Sequence, residues 1–239
     1  MLLAEEDGQS LLYTGDFKLG ESATAERAEL PHAEILVIES TFGDPRYRLT
    51  PRANAIAQLY DLVQQTLAAG RTPVVEAYVT GKGQEVTKIL TLGGFPVLQH
   101  PLMYAVSQVY RKAGVDLGDC HLYPGHYLPG HVVVVPPRMH KAGRLAGLRN
   151  VVTFAVSGWA MHPGTRYRLG VDHAIPLSDH ADYDELISAV AQVAPRVTYC
   201  THGPGKFFEI LRAEGFNAHP LAPPDPAQPA PLSQKQLFC

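Results

Sequence analysis

Short apolar runs that stop at a polar residue or a glycine, each followed by a helical stretch, recur along this chain. They restrict its fold more than any other feature. "SLLYTGD" reads as a strand ending at Thr14, Gly15 and Asp16. "AEILVIESTFG" reads as a buried strand over residues 35–38 that ends at Glu39. "TPRANAIAQLYDLVQQTLAAG" has helical spacing, with Ile56, Leu59, Leu62, Val63 and Leu67 on one face. Thr50 is placed to cap that helix, Pro51 suits its first turn, and Gly70 ends it. "RTPVVEAYVTGKGQEVTKILTLGG" reads as strand, glycine-rich loop and helix. "FPVLQHP" and "VVVVPP" are further strands, and "HPLMYAVSQVYRKAG" between them is helical with Val106, Val109 and Tyr110 inward. Residues 151–155 and "HAIPLSDH" are strands, and "ADYDELISAVAQVA", "RVTYC" and "KFFEILRAEG" continue the alternation as helix, strand and helix. Asp182, three residues before Glu185, has the spacing of a helix-start capping pair. Strands alternating with helices imply an α/β fold with mostly parallel pairing. In such sheets ligands gather at the carboxyl ends of the strands.

That rule selects four side chains. Asp16, Glu39, His180 and His202 each stand where an apolar strand stops. If their strands lie side by side in one sheet, two carboxylates and two imidazoles meet on one rim. That donor set suits zinc or manganese and equally suits acid–base catalysis. Each has a plainer reading as well. Asp16 can close a turn, Glu39 can pair with an arginine at an edge, His180 can cap the next helix, and His202 can be a loop residue beside a Gly-Pro turn. The other histidines among the eleven, including His32, His100, His121, His126, His131, His140 and His219, show no metal-type spacing.

Composition narrows the function classes. No run of about 18 apolar residues exists, so no membrane span is expected. "MLLAEEDGQS" lacks the basic start and long apolar stretch of a signal peptide. Cys120, Cys200 and Cys239 are odd in number and form no C-x-x-C pair, which points to no thiolate metal site and no disulfide framework. A reducing cytoplasm is the simplest setting. A net charge of -3 argues against bulk electrostatic binding of nucleic acid. It leaves open a nuclease that holds phosphate with metal ions and a few arginines.

Four stretches carry a family resemblance. "YTGDFKLG", "VIESTFGDPRYR", "SGWAMHPGTRYRLGVDHAIPLSDHADYDELI" and "THGP" resemble the metallo-β-lactamase-fold nucleases with a β-CASP cap domain. The bacterial ligase-associated DNA exonucleases and the mRNA 3′-end processing factor group are the nearest in pattern. The resemblance runs from about residue 10 to about residue 215 and keeps the family's motif order. It implies a partial metallo-β-lactamase αββα sandwich with an inserted α/β cap. Residues 1–43 and 170–219 would form the first domain, residues 44–169 the cap, and residues 220–239 a Pro-rich disordered tail. "YVTGKGQEVTKIL" is similar to the cap's strand, Gly-rich turn and Q-E helix. By position, the resemblance makes Asp16 a metal-bridging ligand and His202 a ligand of the second metal. It makes His180 the general acid and Glu39 the acidic residue that supports it. Asp179 and Asp182 would orient His180 or cap the helix, and the sequence does not rank these roles.

The implied cofactor is two zinc ions, with manganese as a fitting substitute. The implied reaction is hydrolysis of a phosphodiester in DNA or RNA by metal-activated water, with His180 protonating the leaving oxygen. Arg166 and Arg168 in "GTRYRLG" are candidate phosphate contacts, because arginine binds phosphate in a two-pronged manner. Arg46, Arg48 and Lys82 are weaker candidates. The family's H-x-H-x-D-H motif, which supplies most ligands, occurs nowhere in these 239 residues. Asp16 and His202 alone do not build a two-metal site. The chain as written is therefore expected to be inactive unless an N-terminal segment complements it. A start site upstream of Met1, a split protein and a decayed relative all fit, and the first is preferred. Removing that segment is expected to leave part of the sheet exposed. The rival function is a non-catalytic module that binds nucleic acid or a protein. A nucleotide-binding reading of "TGKGQE" lacks the G-x-x-x-x-G-K-[ST] pattern.

Overall fold

The computed structural model describes residues 1–126, 128–139, 147–148, 150–162, 164–203 and 205–221. The chain folds into two compact units. The first comprises Met1–Phe17, Ala28–Arg46 and the chain from Ala181 onward. The second comprises Lys18–Arg27 and Tyr47–His180. The polypeptide thus passes between them at Phe17–Lys18, Arg27–Ala28, Arg46–Tyr47 and His180–Ala181. No helix among the described residues is long and apolar enough to cross a membrane.

The first unit is built on a sheet of order β1-β2-β3-β10-β11. Its strands are β1 (Leu2–Glu6), β2 (Gln9–Tyr13), β3 (Ile35–Glu39), β10 (Val197–Thr201) and β11 (Ala218–Pro220). Every pairing is parallel except the β1–β2 hairpin. The hairpin turns at Asp7 and Gly8, both with positive φ (47° and 78°), the backbone form that matches strand twist. β1 is exposed along its whole length, with Leu2 58% and Leu3 42% accessible. β3 is the central strand, and Leu36 and Ile38 are wholly buried. Helices α5 (Tyr183–Val193) and α6 (Phe207–Ala213) belong to this unit. α5 buries Leu186, Ala189, Val190 and Val193, the one-sided apolar spacing of an amphipathic helix. The Pro-rich tail expected from residue 220 lies, beyond Leu221, outside the described residues.

The second unit holds a fully parallel sheet of order β6-β5-β7-β4-β8-β9. These are β4 (Thr72–Glu76), β5 (Val97–Gln99), β6 (Cys120–Leu122), β7 (Val132–Val135), β8 (Val151–Val156) and β9 (His173–Ile175). β4 and β7 are buried throughout, as strands covered on both faces must be. Its helices are α1 (Arg52–Ala68), α2 (Lys82–Leu92), α3 (Pro101–Lys112) and α4 (Thr165–Leu169). Leu59 and Val63 of α1 sit in the core beside Val75, Val86 and Phe154. Each fully buried aliphatic side chain of this size stabilises the fold by about 1.5–3 kcal/mol.

Two local expectations change. Pro51, not Thr50, stands at the cap of α1, and no side chain caps it. The residue before a proline is pushed to extended backbone, which sets Thr50 one step outside the helix. On α3 the fully buried residues are Met103 and Ser107; Tyr110 packs against the core as expected, Val106 is half-buried, and Val109 is 64% exposed. The reason lies on α2: Gln84 is fully buried, and its amide donates to the Ser107 hydroxyl (3.3 Å) and to the Met103 carbonyl (3.3 Å). A buried amide needs acceptors, and that need turns a serine inward.

Candidate active site

In the first unit, the exits of β2 and β3 are pinned together. The Thr14 N–H donates to the Val37 carbonyl (3.0 Å), and the Thr14 hydroxyl accepts the Glu39 N–H (3.2 Å) while donating to the Gly15 carbonyl (2.7 Å). Gly15 takes a left-handed φ of 56° at this point, and Asp16 follows it. Asp16 is exposed, and its carboxylate has no hydrogen bond or ion pair among the described residues. Glu39 is its opposite: 1% exposed, with Oε1 accepting the Phe17 N–H (3.3 Å) and Oε2 accepting the Thr41 N–H (3.2 Å). A carboxylate oxygen of Asp16 and one of Glu39 lie within 4.8 Å of each other.

The exit of β10 lies against that of β3. Thr201 is paired in register with Glu39, and the Ser40 N–H donates to the Thr201 carbonyl (2.8 Å). His202 follows, with a left-handed φ of 51°, and its carbonyl accepts the Thr41 hydroxyl (3.1 Å). Its imidazole is not among the donor atoms gathered within 4.8 Å of Asp16 and Glu39. Gly203 touches the Ser40 backbone so closely that any Cβ there would overlap the Ser40 carbonyl.

His180 departs from the single-sheet expectation. The strand before it, β9, pairs with β8 in the second unit's sheet and not with β3 or β10. Asp16, Glu39 and His202 share one sheet's strand ends, whereas His180 is the last residue of the second unit. Ala181 is one peptide bond away, and its N–H donates to the Phe17 carbonyl (2.5 Å).

The segment before His180 is held within the second unit. The Ser178 hydroxyl accepts the His180 N–H (2.9 Å) and donates to the His180 carbonyl (3.0 Å). Lys82 Nζ donates to the Leu177 carbonyl (3.0 Å) and pairs with the Asp179 carboxylate. This overturns Lys82 as a phosphate contact, since its side chain is only 4% exposed and already engaged. The structure also separates the two aspartates that the sequence left unranked. Asp179 goes to Lys82, whereas Asp182 accepts the Glu185 N–H (2.9 Å) and Glu185 Oε2 accepts the Asp182 N–H (3.3 Å). The latter pair is a complete capping box for α5.

Lys82 belongs to a buried ionic node that sequence reading missed. Glu85 Oε1 accepts from Lys18 Nζ (2.7 Å), Arg52 (2.8 Å), the Ser22 hydroxyl (3.0 Å) and the Ala23 N–H (3.4 Å). Its Oε2 lies 3.6 Å from Lys82 Nζ. Burial acts to raise the Glu85 carboxyl. The Asp179 hydrogen bond and the Lys82 and Lys18 charges outweigh it and hold Glu85 below the usual carboxylate range. Asp179 is pushed the other way, chiefly by burial, with Glu85 adding to the rise against Lys82. Three basic and two acidic side chains from distant parts of the sequence give no periodic signal that could have announced the node. The "GKGQE" turn was its one visible mark.

Arg166 and Arg168 sit on α4 and are exposed. They do not form a clamp with each other, because positions two apart face opposite sides of a helix. The Arg166 guanidinium lies over the Tyr167 ring (4.4 Å) and donates to its hydroxyl. Arg46 is paired in two-pronged fashion with Asp44 (2.9 and 2.8 Å).

No family model matches the chain. Individual relatives do. A protein named "Probable DNA ligase" from Opitutus terrae is 36% identical over 218 residues, covering 91% of this chain and 21% of the relative. An "RNase J-like protein" from Methanocaldococcus jannaschii is 32% identical over 88 residues, 36% of this chain and 21% of the relative. "Endoribonuclease ysh1" from Schizosaccharomyces pombe is 29% identical over 92 residues, 38% of this chain and 12% of the relative. The chain belongs to the β-CASP metallo-β-lactamase family. It spans about a fifth or less of the length of these curated relatives.

Membership in the β-CASP family calls for a metal, and the donors present can be tested for fit. Asp16 offers a hard, exposed, unengaged carboxylate, which suits zinc or manganese. Glu39 already accepts a backbone N–H on each oxygen, so it suits support of a ligand better than primary ligation. Among the described residues, Asp16 is thus a carboxylate open to a divalent cation, with Glu39 in a supporting place.

Proposed function

We propose that this chain is part of a metal-dependent phosphodiesterase acting on nucleic acid. Asp16 and His202 would hold metal, His180 would serve as general acid, and Glu39 would be the acid that supports it. The observation that carries this reading is the pair of carboxylates, Asp16 and Glu39, at the ends of adjacent parallel strands in a chain of this family. A divalent cation at Asp16 supplies charge stabilisation and a nucleophilic water.

The chain's own residues do the rest. Glu39 fixes the Phe17 and Thr41 backbone and so sets where Asp16 points. Ser178 fixes the His180 backbone on both sides, which keeps the imidazole where a strand ends. His180 donates its proton to the leaving oxygen. Arg168, exposed and with no side-chain partner among the described residues, is the better phosphate contact of the arginine pair. The second unit would be the β-CASP cap, and the cleavage proposed is exonucleolytic. The named relatives include a DNA ligase and RNA-processing proteins, so both polymers belong in the test.

The test uses end-labelled single-stranded DNA and RNA with Zn²⁺ or Mn²⁺, supplied to the 239-residue chain and to the protein isolated from its native cells. Metal-dependent cleavage from one end, lost in His180→Ala and in Asp16→Asn, is the expected result. Cleavage that persists in His180→Ala would remove the general-acid role. Binding of single strands without cleavage in both proteins would replace the enzyme reading with a binding module.

A further inference from the structure

We propose that Lys82 is the positioning residue of His180, and that Glu85 is the carboxylate that keeps Lys82 in place; this deepens the phosphodiesterase reading and rests on it. The chain leaves β9 at Ile175 and reaches His180 within a few residues. Nearly every step of that passage is held. The Leu177 N–H donates to the Ile175 carbonyl (2.9 Å), the Leu177 carbonyl accepts Lys82 Nζ (3.0 Å), and Asp179 is ion-paired with the same ammonium. Ser178 then closes a small ring onto the His180 backbone. Two of these holds come from one side chain.

Burying an ammonium is costly unless it is paired and hydrogen-bonded. Lys82 is kept at 4% exposure by Asp179, by Glu85 and by a carbonyl, so its partners are arranged around it. Its place in the chain is equally constrained. Gly83 beside it cannot carry a Cβ, which would lie 2.9 Å from the Tyr78 carbonyl and 2.9 Å from Met103 Cε. The turn thus brings α2 close to the residues around it, and Lys82 leaves that turn toward the His180 segment. Glu85 adds a second reach. Through Lys18, Ser22 and Ala23 it also holds the stretch that begins two residues after Asp16. One motif, "GKGQE", therefore anchors the chain just after the metal-site aspartate and just before the histidine.

The experiment reads His180 directly, in the full chain, from its imidazole ¹H–¹³C NMR signals, assigned by their absence in His180→Gln. Variants are Lys82→Met and Asp179→Asn, with Arg52→Met as a control that removes a Glu85 partner touching neither Leu177 nor Asp179. The expected result is that Lys82→Met and Asp179→Asn move the His180 signals toward their unfolded positions or split them, whereas Arg52→Met does not. In the active protein, kcat should fall about 10- to 100-fold in the first two with KM nearly constant, as misplacement of a reacting group by about an ångström produces. Unchanged His180 signals in folded Lys82→Met or Asp179→Asn would overturn the proposal. Should Lys82→Met fail to fold, Asp179→Asn decides alone. If the parent protein cleaves no phosphodiester, the enzyme reading fails by that result, while the His180 signals still decide whether Lys82 positions it.

Discussion

The Glu39 carboxylate accepts the Phe17 N–H at 3.3 Å, so the residue that ends β3 fixes the chain one position after Asp16. Glu39→Gln keeps the shape but offers one acceptor oxygen where two backbone donors need one each. The unpartnered buried donor should cost about 1–3 kcal/mol in urea unfolding. Zinc affinity, read by competition with a chromophoric chelator, should weaken about 10- to 100-fold, as loss of a ligand's support does. Asp16→Asn should weaken it more and leave stability nearly unchanged, because Asp16 is exposed.

Gly203→Ala tests the contact between the β3 and β10 exits. Its Cβ would overlap the Ser40 backbone carbonyl, which is rigid, so the strand ends must part. A destabilisation of about 1–3 kcal/mol is expected, as for other overpacked sites. The Ser40 amide, bonded to the Thr201 carbonyl, should lose exchange protection. Gly205→Ala, where a Cβ meets nothing within 4 Å, is the control.

The two acids that flank His180 should behave differently. Asp182→Ala removes the N-cap of α5 and should cost about 0.5–2 kcal/mol, with Asp182→Asn close to neutral. Asp179→Asn should give a stability change without the α5 signature, which amide exchange across residues 183–193 would separate.

Acid should unfold the second unit partly through Glu85. Its folded carboxyl lies below the ordinary value, so it contributes stability above about pH 4.3, its usual unfolded value, and loses that contribution as pH falls further. Asp179, raised in the fold, works in the opposite sense: its contribution is full at low pH and declines as pH rises through its raised value. The urea midpoint should therefore fall as pH drops below about 4.3 in the parent and fall less in Glu85→Gln. Equal slopes in the two proteins would remove Glu85 as the acid-sensitive group.

Much of the fold was legible because burial leaves periodic marks. The runs that became β3, β4, β7, β8 and β10 are apolar and β-branched, and α5 carries both its apolar face and its Asp182–Glu185 cap in sequence. β6 and β11, three residues each with a histidine at the centre, were harder than the equally short β5 and β9, which sit in longer apolar runs. The β1–β2 hairpin was announced by Asp7-Gly8 between apolar runs, and that local signal went unread. The site was legible only residue by residue. Asp16, Glu39 and His202 do end adjacent strands, but nothing local to "HAIPLSDH" says which sheet β9 joins, since sheet order is a long-range property. The Glu85 node was hidden for the same reason.

The Glu85 node also dictates an order of events. Lys18 and Glu85 are 67 residues apart in sequence, and Lys82 and Leu177 are 95 apart. Contacts across such separations require large loops to close before they stabilise anything, which places them late in folding. On the ribosome, a chain that has emerged as far as Glu85 already holds Lys18, Arg52 and Lys82, three cations facing one carboxylate. The balancing acid, Asp179, is synthesised immediately before His180. The acid that joins the node and the histidine beside it thus arrive together, and the nascent polypeptide carries no ordered His180 segment until both have been made.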